Sequence, residues 1–222
     1  MAKGVLMKTG TTGIGYWHCA LLLAVIASGW QPLDRQTWLI ENILVLVSAV
    51  AVWFTRHDFQ WSRRSWVMVI AFLCLHQVGT HFTYPQVPYN ELLHRISGID
   101  LNAVFGWERN QYDRFVHLAY GVLLSLPLRD IVVQKCGLKG AWASLIAWSL
   151  VLSTSMLYEL MEWAGAAYVG GGDSAFVGAQ GDFWDAQKDM AVAAAGSLVV
   201  LICRGHEWRN RVSALRGRLT SH

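Results

Sequence analysis

The chain has 222 residues, of which 54% are hydrophobic and only 15% charged, with a mean hydropathy of +0.32. Soluble domains average about 25% charged residues, so this composition, together with 12 tryptophans, excludes an ordinary soluble domain and points to a polytopic membrane protein. The net charge is a modest +3, and the basic tail Arg204, Arg209, Arg211, Arg216 and Arg218 suits a segment beside anionic lipid rather than a nucleic-acid arm.

The apolar runs give an all-α transmembrane bundle of about six spans, near residues 14–31, 38–54, 66–83, 112–130, 139–164 and 183–203. Lys3 and Lys8 before the first run imitate a secretory signal. No small-residue cleavage site follows, and the run contains Tyr16, Trp17 and His18, so it reads as a retained first span. Pro85 and Pro88 end the third span and open the longest connection, about 84–111, read as a loop. The fourth span begins with the polar QYDRFVH, has the shortest purely apolar run, and is expected to kink at Pro127. Between the last two spans lies a Gly-rich link at 170–172, with no phosphate-loop Lys-Ser/Thr after it. No connection is long enough for a separate domain, so residues 1–222 read as a single membrane domain. The four cysteines are scattered singly, which argues against a disulfide framework or a thiolate zinc site.

Charge placement sets the orientation. Lys3 and Lys8, then Arg56, Arg63 and Arg64, then Lys135 and Lys139, then the arginine tail fall on every second connection. The positive-inside rule puts these segments, and hence both termini, in the cytoplasm. Trp30, Trp38, Trp53, Trp66, Trp107, Trp163 and Trp184 fall near span ends, as interfacial belts do.

With that topology the unusual polar residues gather on the opposite side. His76 and His81 end the third span, Asp113 and His117 begin the fourth, Glu159 and Glu162 end the fifth, and Asp182, Asp185 and Asp189 begin the sixth. At about 100° per residue the three aspartates share one face within about 60°. Asp113 and His117 are four apart and Glu159 and Glu162 three apart, so each pair can meet, whereas His76 and His81 do not share a face. Asp182 and Asp185 also suit a helix start, as cap and first-turn acid, but Asp189 is too far in to be a cap. Glu159 and Glu162 sit at the end of a helix that disfavours acids. An unpaired carboxylate at membrane depth costs at least ~2.5 kcal/mol, so something positive is required.

Two answers stand side by side. One is an ion-pair network with Arg95, Arg109, Arg114 or Lys188. The other is a divalent metal (Mn, Fe, Zn, Mg or Ca) held by His117, Glu159, Glu162, Asp182, Asp185 and Asp189. In the metal reading Asp113 is a base, His81 polarises substrate, and Arg109, Arg114 and Tyr84 contact an anionic substrate.

The strings HFTY (81–84), WERNQYDRFVHLAYG (107–121), YELMEW (158–163) and AQGDFWDAQKDM (179–190) resemble those of the YjdF-type bacterial inner-membrane proteins, over about residues 70–203. The resemblance implies a multi-span protein of a bacterial inner membrane and brings no reaction with it. Its motif positions include His81, Tyr84, Arg109, Asp113, Arg114, His117 and the acids of the last two spans. The signatures of membrane acid phosphatases, the histidine boxes of desaturases, HExxH and GxSxG are all absent. The expected function is a metal-dependent hydrolase or transferase working on a lipid headgroup or other envelope amphiphile, with membrane lipid as partner and no nucleic acid. The alternatives are an ion or solute transporter, or a structural or assembly protein with a buried ion-pair network.

Overall fold

The computed structural model describes residues 12–55, 61–168 and 180–219. Lys3, Lys8, Arg56, the 170–172 link and Asp173 lie outside them. Among the described residues the regular structure is all helical: α1 (Thr12–Gly29), α2 (Arg35–Thr55), α3 (Arg63–Phe82), a 3₁₀ turn (Tyr84–Gln86), α4 (Tyr89–Ser97), α5 (Leu101–Phe105), α6 (Tyr112–Cys136), α7 (Gly140–Tyr168) and α8 (Asp185–Leu219). α3, α6, α7 and the Asp185–Gly205 part of α8 are long and apolar enough to cross a membrane. α1 and α2, of 18 and 21 residues, occupy the first two expected spans.

The helix ends follow local chemistry. Ser62 Oγ accepts from the Ser65 amide at 3.0 Å and starts α3. Thr83, in the left-handed region at φ 54°, closes it by donating its amide to the Gly79 carbonyl, and Pro85 follows. α6 runs through Pro127 and ends at Gly137, whose φ of 66° an L side chain would resist. It is a continuous 25-residue helix although its apolar run is short.

The expected loop 84–111 is instead partly helical. Asp100 caps α5 by accepting from the Ala103 amide at 3.0 Å, and Asn90 Oδ1 accepts from the Leu101 amide at 2.8 Å. Leu92 and Ile96 of α4, with Val104 and Phe105 of α5, are all exposed, the pattern of short helices resting at a membrane interface.

α6 is the centre of the bundle, packing on α3, α7 and α8, while α1 and α2 pack on α3. Polar side chains join the first three helices. Ser28 donates to Gln77 Oε1, Trp38 Nε1 donates to Ser28 Oγ at 3.0 Å, and Gln77 Nε2 donates to Asn42 Oδ1 at 2.9 Å. α3 and α6 run antiparallel. Tyr112 Oη donates to the Leu75 carbonyl at 2.9 Å near one end, and Ser65 Oγ donates to Asp130 Oδ2 at 2.9 Å near the other.

The α6–α8 crossing fixes the site. A Cβ added to Gly121 would lie 2.0 Å from the Ala193 carbonyl oxygen, and one added to Gly196 would lie 2.9 Å from that of Leu118. Four residues below Gly121, Ser125 Oγ donates to Ser197 Oγ at 2.6 Å. Both Gly121–Ala193 and Ser125–Ser197 are offset by 72 in sequence, so the two helices run parallel and in register. Extending that offset one turn at a time toward the start of α6 sets Asp189 level with His117, and Asp185 level with Asp113.

Candidate metal centre at the head of the bundle

The register brings acids from three helices onto one imidazole. His117 Nε2 lies 3.1 Å from Glu159 Oε1 of α7 and 3.6 Å from Asp113 Oδ1 one turn back on α6. Asp113, His117 and Asp189 are buried, and each offers a ligand atom within 4.8 Å of the other two. The Asp189 side chain is 1% exposed, and its Oδ1 lies 3.8 Å from Arg114 Nε.

Asp113 Oδ1, Glu159 Oε1 and Asp189 Oδ1 are buried without a hydrogen-bond partner. A buried acceptor left in that state costs about 1–3 kcal/mol, more when charged. On its other side the His117 ring meets Ser155 Oγ at 3.4 Å. If Nδ1 carries the proton, as a donor to Ser155, Nε2 presents a lone pair to the carboxylates. Acceptors are then turned toward acceptors, an arrangement a cation reconciles.

The acids nearer the surface are held differently. Asp185 pairs with Arg109, and Asp182 pairs with Arg114 and with Lys188, whose Nζ donates at 2.7 and 2.9 Å. Arg114 Nη2 also lies 3.4 Å from Asp185 Oδ1, and Arg109 Nη1 lies 3.8 Å from Asp182 Oδ2. The Lys188 hydrogen bonds, aided by the Trp184 amide and Arg114, pull the Asp182 carboxyl down to about 2. Asp182 and Asp185 therefore form a rim of ion pairs, and Asp113 stands with the inner group of His117, Glu159 and Asp189. Glu162 lies beside Glu159 and Tyr158.

His81 is placed elsewhere. Its Nδ1 donates to the Ser28 carbonyl at 2.8 Å, and its own carbonyl accepts from the Leu33 amide at 2.9 Å, which ties the end of α3 to the α1–α2 turn. None of its described contacts reaches the cluster. Tyr84 is buried under Gly79, where an added Cβ would meet its ring at 2.6 Å, and burial pushes its phenol well above the usual range. Its hydroxyl is 2.6 Å from His76 Nδ1, while His76 Nε2 is 3.3 Å from the Glu41 carbonyl. Since a carbonyl can only accept, His76 donates from Nε2 and accepts the Tyr84 hydroxyl at Nδ1.

Reasoning from sequence missed two members of this layer. Glu41 of α2 is buried and accepts the Tyr158 hydroxyl at 2.6 Å, and the Tyr158 ring stands edge-on to His117 with centroids 5.6 Å apart. The available signal was a lone acid inside the apolar run WLIENILVLV.

Comparison with known proteins agrees with a membrane protein. The family described as "Predicted membrane protein (DUF2238)" matches residues 14–209. The chain belongs to this family. It is also 30% identical, over 189 residues, to the "Inner membrane protein YjdF" of Escherichia coli strain K12, covering 84% of this chain and 87% of that protein. No solved structure matches. The DUF2238 chain described here is thus an integral membrane protein, all helical among its described residues, and its family match spans α1 to the first part of the α8 tail.

Proposed function

We propose that Asp113, His117, Glu159 and Asp189 hold one divalent cation, with Glu162 beside Glu159 completing the acidic wall. The supporting observation is the convergence of three buried carboxylate oxygens that lack a hydrogen-bond partner around His117. One imidazole and several carboxylates suit Mn, Fe, Zn, Mg or Ca. Counted over Asp113, Glu159, Glu162, Asp182, Asp185 and Asp189 against Arg109, Arg114 and Lys188, six acids face three bases, and a divalent ion offsets most of the excess.

A bound ion of this kind lowers the pKa of a coordinated water and polarises a phosphoryl or carbonyl oxygen. The chain would then be a metal-dependent hydrolase or transferase acting on a lipid headgroup or similar envelope amphiphile. In this reading Asp113, one turn from His117, would hold the ion through one carboxylate oxygen and receive the proton given up in the reaction at the other. Ser155 and Tyr158 fix the His117 ring. Asp182 and Asp185 are given to Arg109 and Arg114, which makes that layer an electrostatic lid over the acids rather than a free anion clamp. His81 serves as a tie between α3 and the α1–α2 turn.

The same proposal takes the chain as one six-span domain of an inner membrane, with both termini cytoplasmic and the cluster facing outward. The alternation of basic connections supports it.

Metal content of the detergent-purified protein, measured by mass spectrometry, tests the site. We expect about one divalent ion per chain in the wild type and its loss in an Asp189→Asn, Glu159→Gln double variant that remains monodisperse. A folded wild-type protein without metal after refilling with Mn, Fe, Zn, Mg and Ca overturns the proposal and leaves the ion-pair network as the reading.

A further inference from the structure

Asp113 and His117 of the head cluster line one end of a long cavity of about 470 Å³. On α6 its wall is Asp113, His117, Tyr120, Leu124, Leu128 and Ile131, one helix face, and it continues to Lys135. From Asp113 to Lys135 is 22 residues, or about 33 Å at the helical rise, close to the thickness of a hydrocarbon layer. The cavity is therefore a slot elongated along α6.

The polar groups of this slot are unevenly placed. His76, Tyr84, Asp113, His117, Ser155 and Tyr158 crowd the head. Below them the walls are mostly apolar, with Val69, Phe72 and Leu73 of α3 facing Leu44 and Val45 of α2. Ser48, Thr154 and Tyr120 interrupt them, and Tyr120 and Thr154 hydrogen-bond each other. α2 packs on α3, and α7 packs on α6 and α8. Across the slot α2 and α7 are joined at the head by the Tyr158–Glu41 hydrogen bond, and among the described residues no extensive packing joins them lower down. An apolar slot with most of its polar side chains at one end, and Lys135 and Trp61 at the other, matches a molecule with a polar head and a long apolar tail.

From this geometry we infer that the slot holds a hydrocarbon chain of an anionic membrane amphiphile, entering between α2 and α7 below the Tyr158–Glu41 bond, with its headgroup beside Asp113 and His117 of the acidic cluster. The inference rests on the metal reading for the headgroup, because an anion beside this many carboxylates needs the cation between them. It goes beyond that reading by assigning the tail. A slot about 33 Å long also exceeds the ~15 Å depth of one leaflet, so the site favours long chains over short ones.

The test uses hexadecyl phosphate carrying a mid-chain diazirine, added to the full-length protein in liposomes, irradiated, and mapped by peptide mass spectrometry. Metal content is measured on the same samples. The expected result is adducts on Phe72, Leu73, Leu124 or Leu128, reduced at least tenfold in Leu124→Trp and in Ser48→Trp, which block the slot from opposite walls. Metal content unchanged in those variants shows that they are folded. Adducts confined to bilayer-facing side chains such as Leu157, Leu160 and Val199, with metal retained, overturn the slot and leave the metal site standing. Slot adducts in a metal-free wild type sustain the tail assignment while overturning the headgroup and metal readings. Equal slot labelling in wild type and in both blocked variants also overturns the inference.

Discussion

At the scale of single residues the acids divide by their partners. Asp182 is held by Lys188 and Arg114 at the rim, whereas Asp113, Glu159 and Asp189 converge on a histidine and have oxygens left over. Asp182 has a folded-state value of about 2 against its ordinary 3.8. Its stabilising contribution is present in full above that ordinary value and is lost as pH falls toward the folded one. Thermal midpoints in detergent should therefore drop between about pH 4 and pH 2 in the wild type. Asp182→Asn should lower the midpoint at neutral pH and flatten that acid limb. At Glu41, Tyr158→Phe removes the donor and leaves a buried carboxylate oxygen short of a partner. A loss of about 1–3 kcal/mol is expected, read as a lower thermal midpoint. The sequence spacing made the α7 and α8 acids and the Asp113–His117 pair legible, because periodicity alone puts them on common faces. It could not separate rim from centre. That division depends on which carboxylate meets Arg109 or Arg114 across some 70 residues of chain.

At the scale of elements, the parallel α6–α8 contact sets where every α8 acid stands. Gly121→Ala inserts a methyl group where the Ala193 carbonyl already sits, so the helices must separate. Chemical or thermal unfolding should show a loss of about 1–3 kcal/mol. Ser153→Ala, on an exposed face of α7, should change stability by less than about 0.5 kcal/mol. The apolar runs located the long helices to within a few residues at most ends, since hydropathy reads burial in lipid or protein alike. α4 and α5 were not legible. Each is too short to be stable from its own propensity, and what holds them is the capping of α5 by Asn90 and Asp100 and the Asn90–Asp100 hydrogen bond that ties α4 to it. The α6–α8 pairing was equally hidden. Gly121, Ser125, Ala193 and Ser197 are unremarkable small residues until two helices are laid against each other.

At the scale of the molecule, composition alone settled the class, and the alternating basic connections supply a topology that can be checked directly. A periplasm-dependent phosphatase fused after Gly98 should be active, and one fused after Gly137 should be inactive. The opposite pattern would invert the orientation and turn the cluster toward the cytoplasm. The arrangement of helices was not readable in the same way, because neighbours in a membrane bundle are chosen by close packing and hydrogen bonds rather than by hydrophobicity. α2 shows the consequence. Its register is held by Asn42 to Gln77 and by Glu41 to Tyr158, contacts that no periodicity announces.

Because Asp182, Asp185 and Asp189 all come from the last helix, the order of synthesis acquires a meaning. A chain that has been made only as far as Tyr168 already carries Asp113, Arg114, His117 and Glu159 on its two newest spans, without the carboxylates that complete the layer. Arg109 and Arg114 have yet to meet their acids, and Gly121 faces a gap where Ala193 will sit. The half-made protein thus exposes polar groups and a notch within the bilayer that the finished one covers, a ready mark by which membrane quality control could tell an incomplete copy from a complete one.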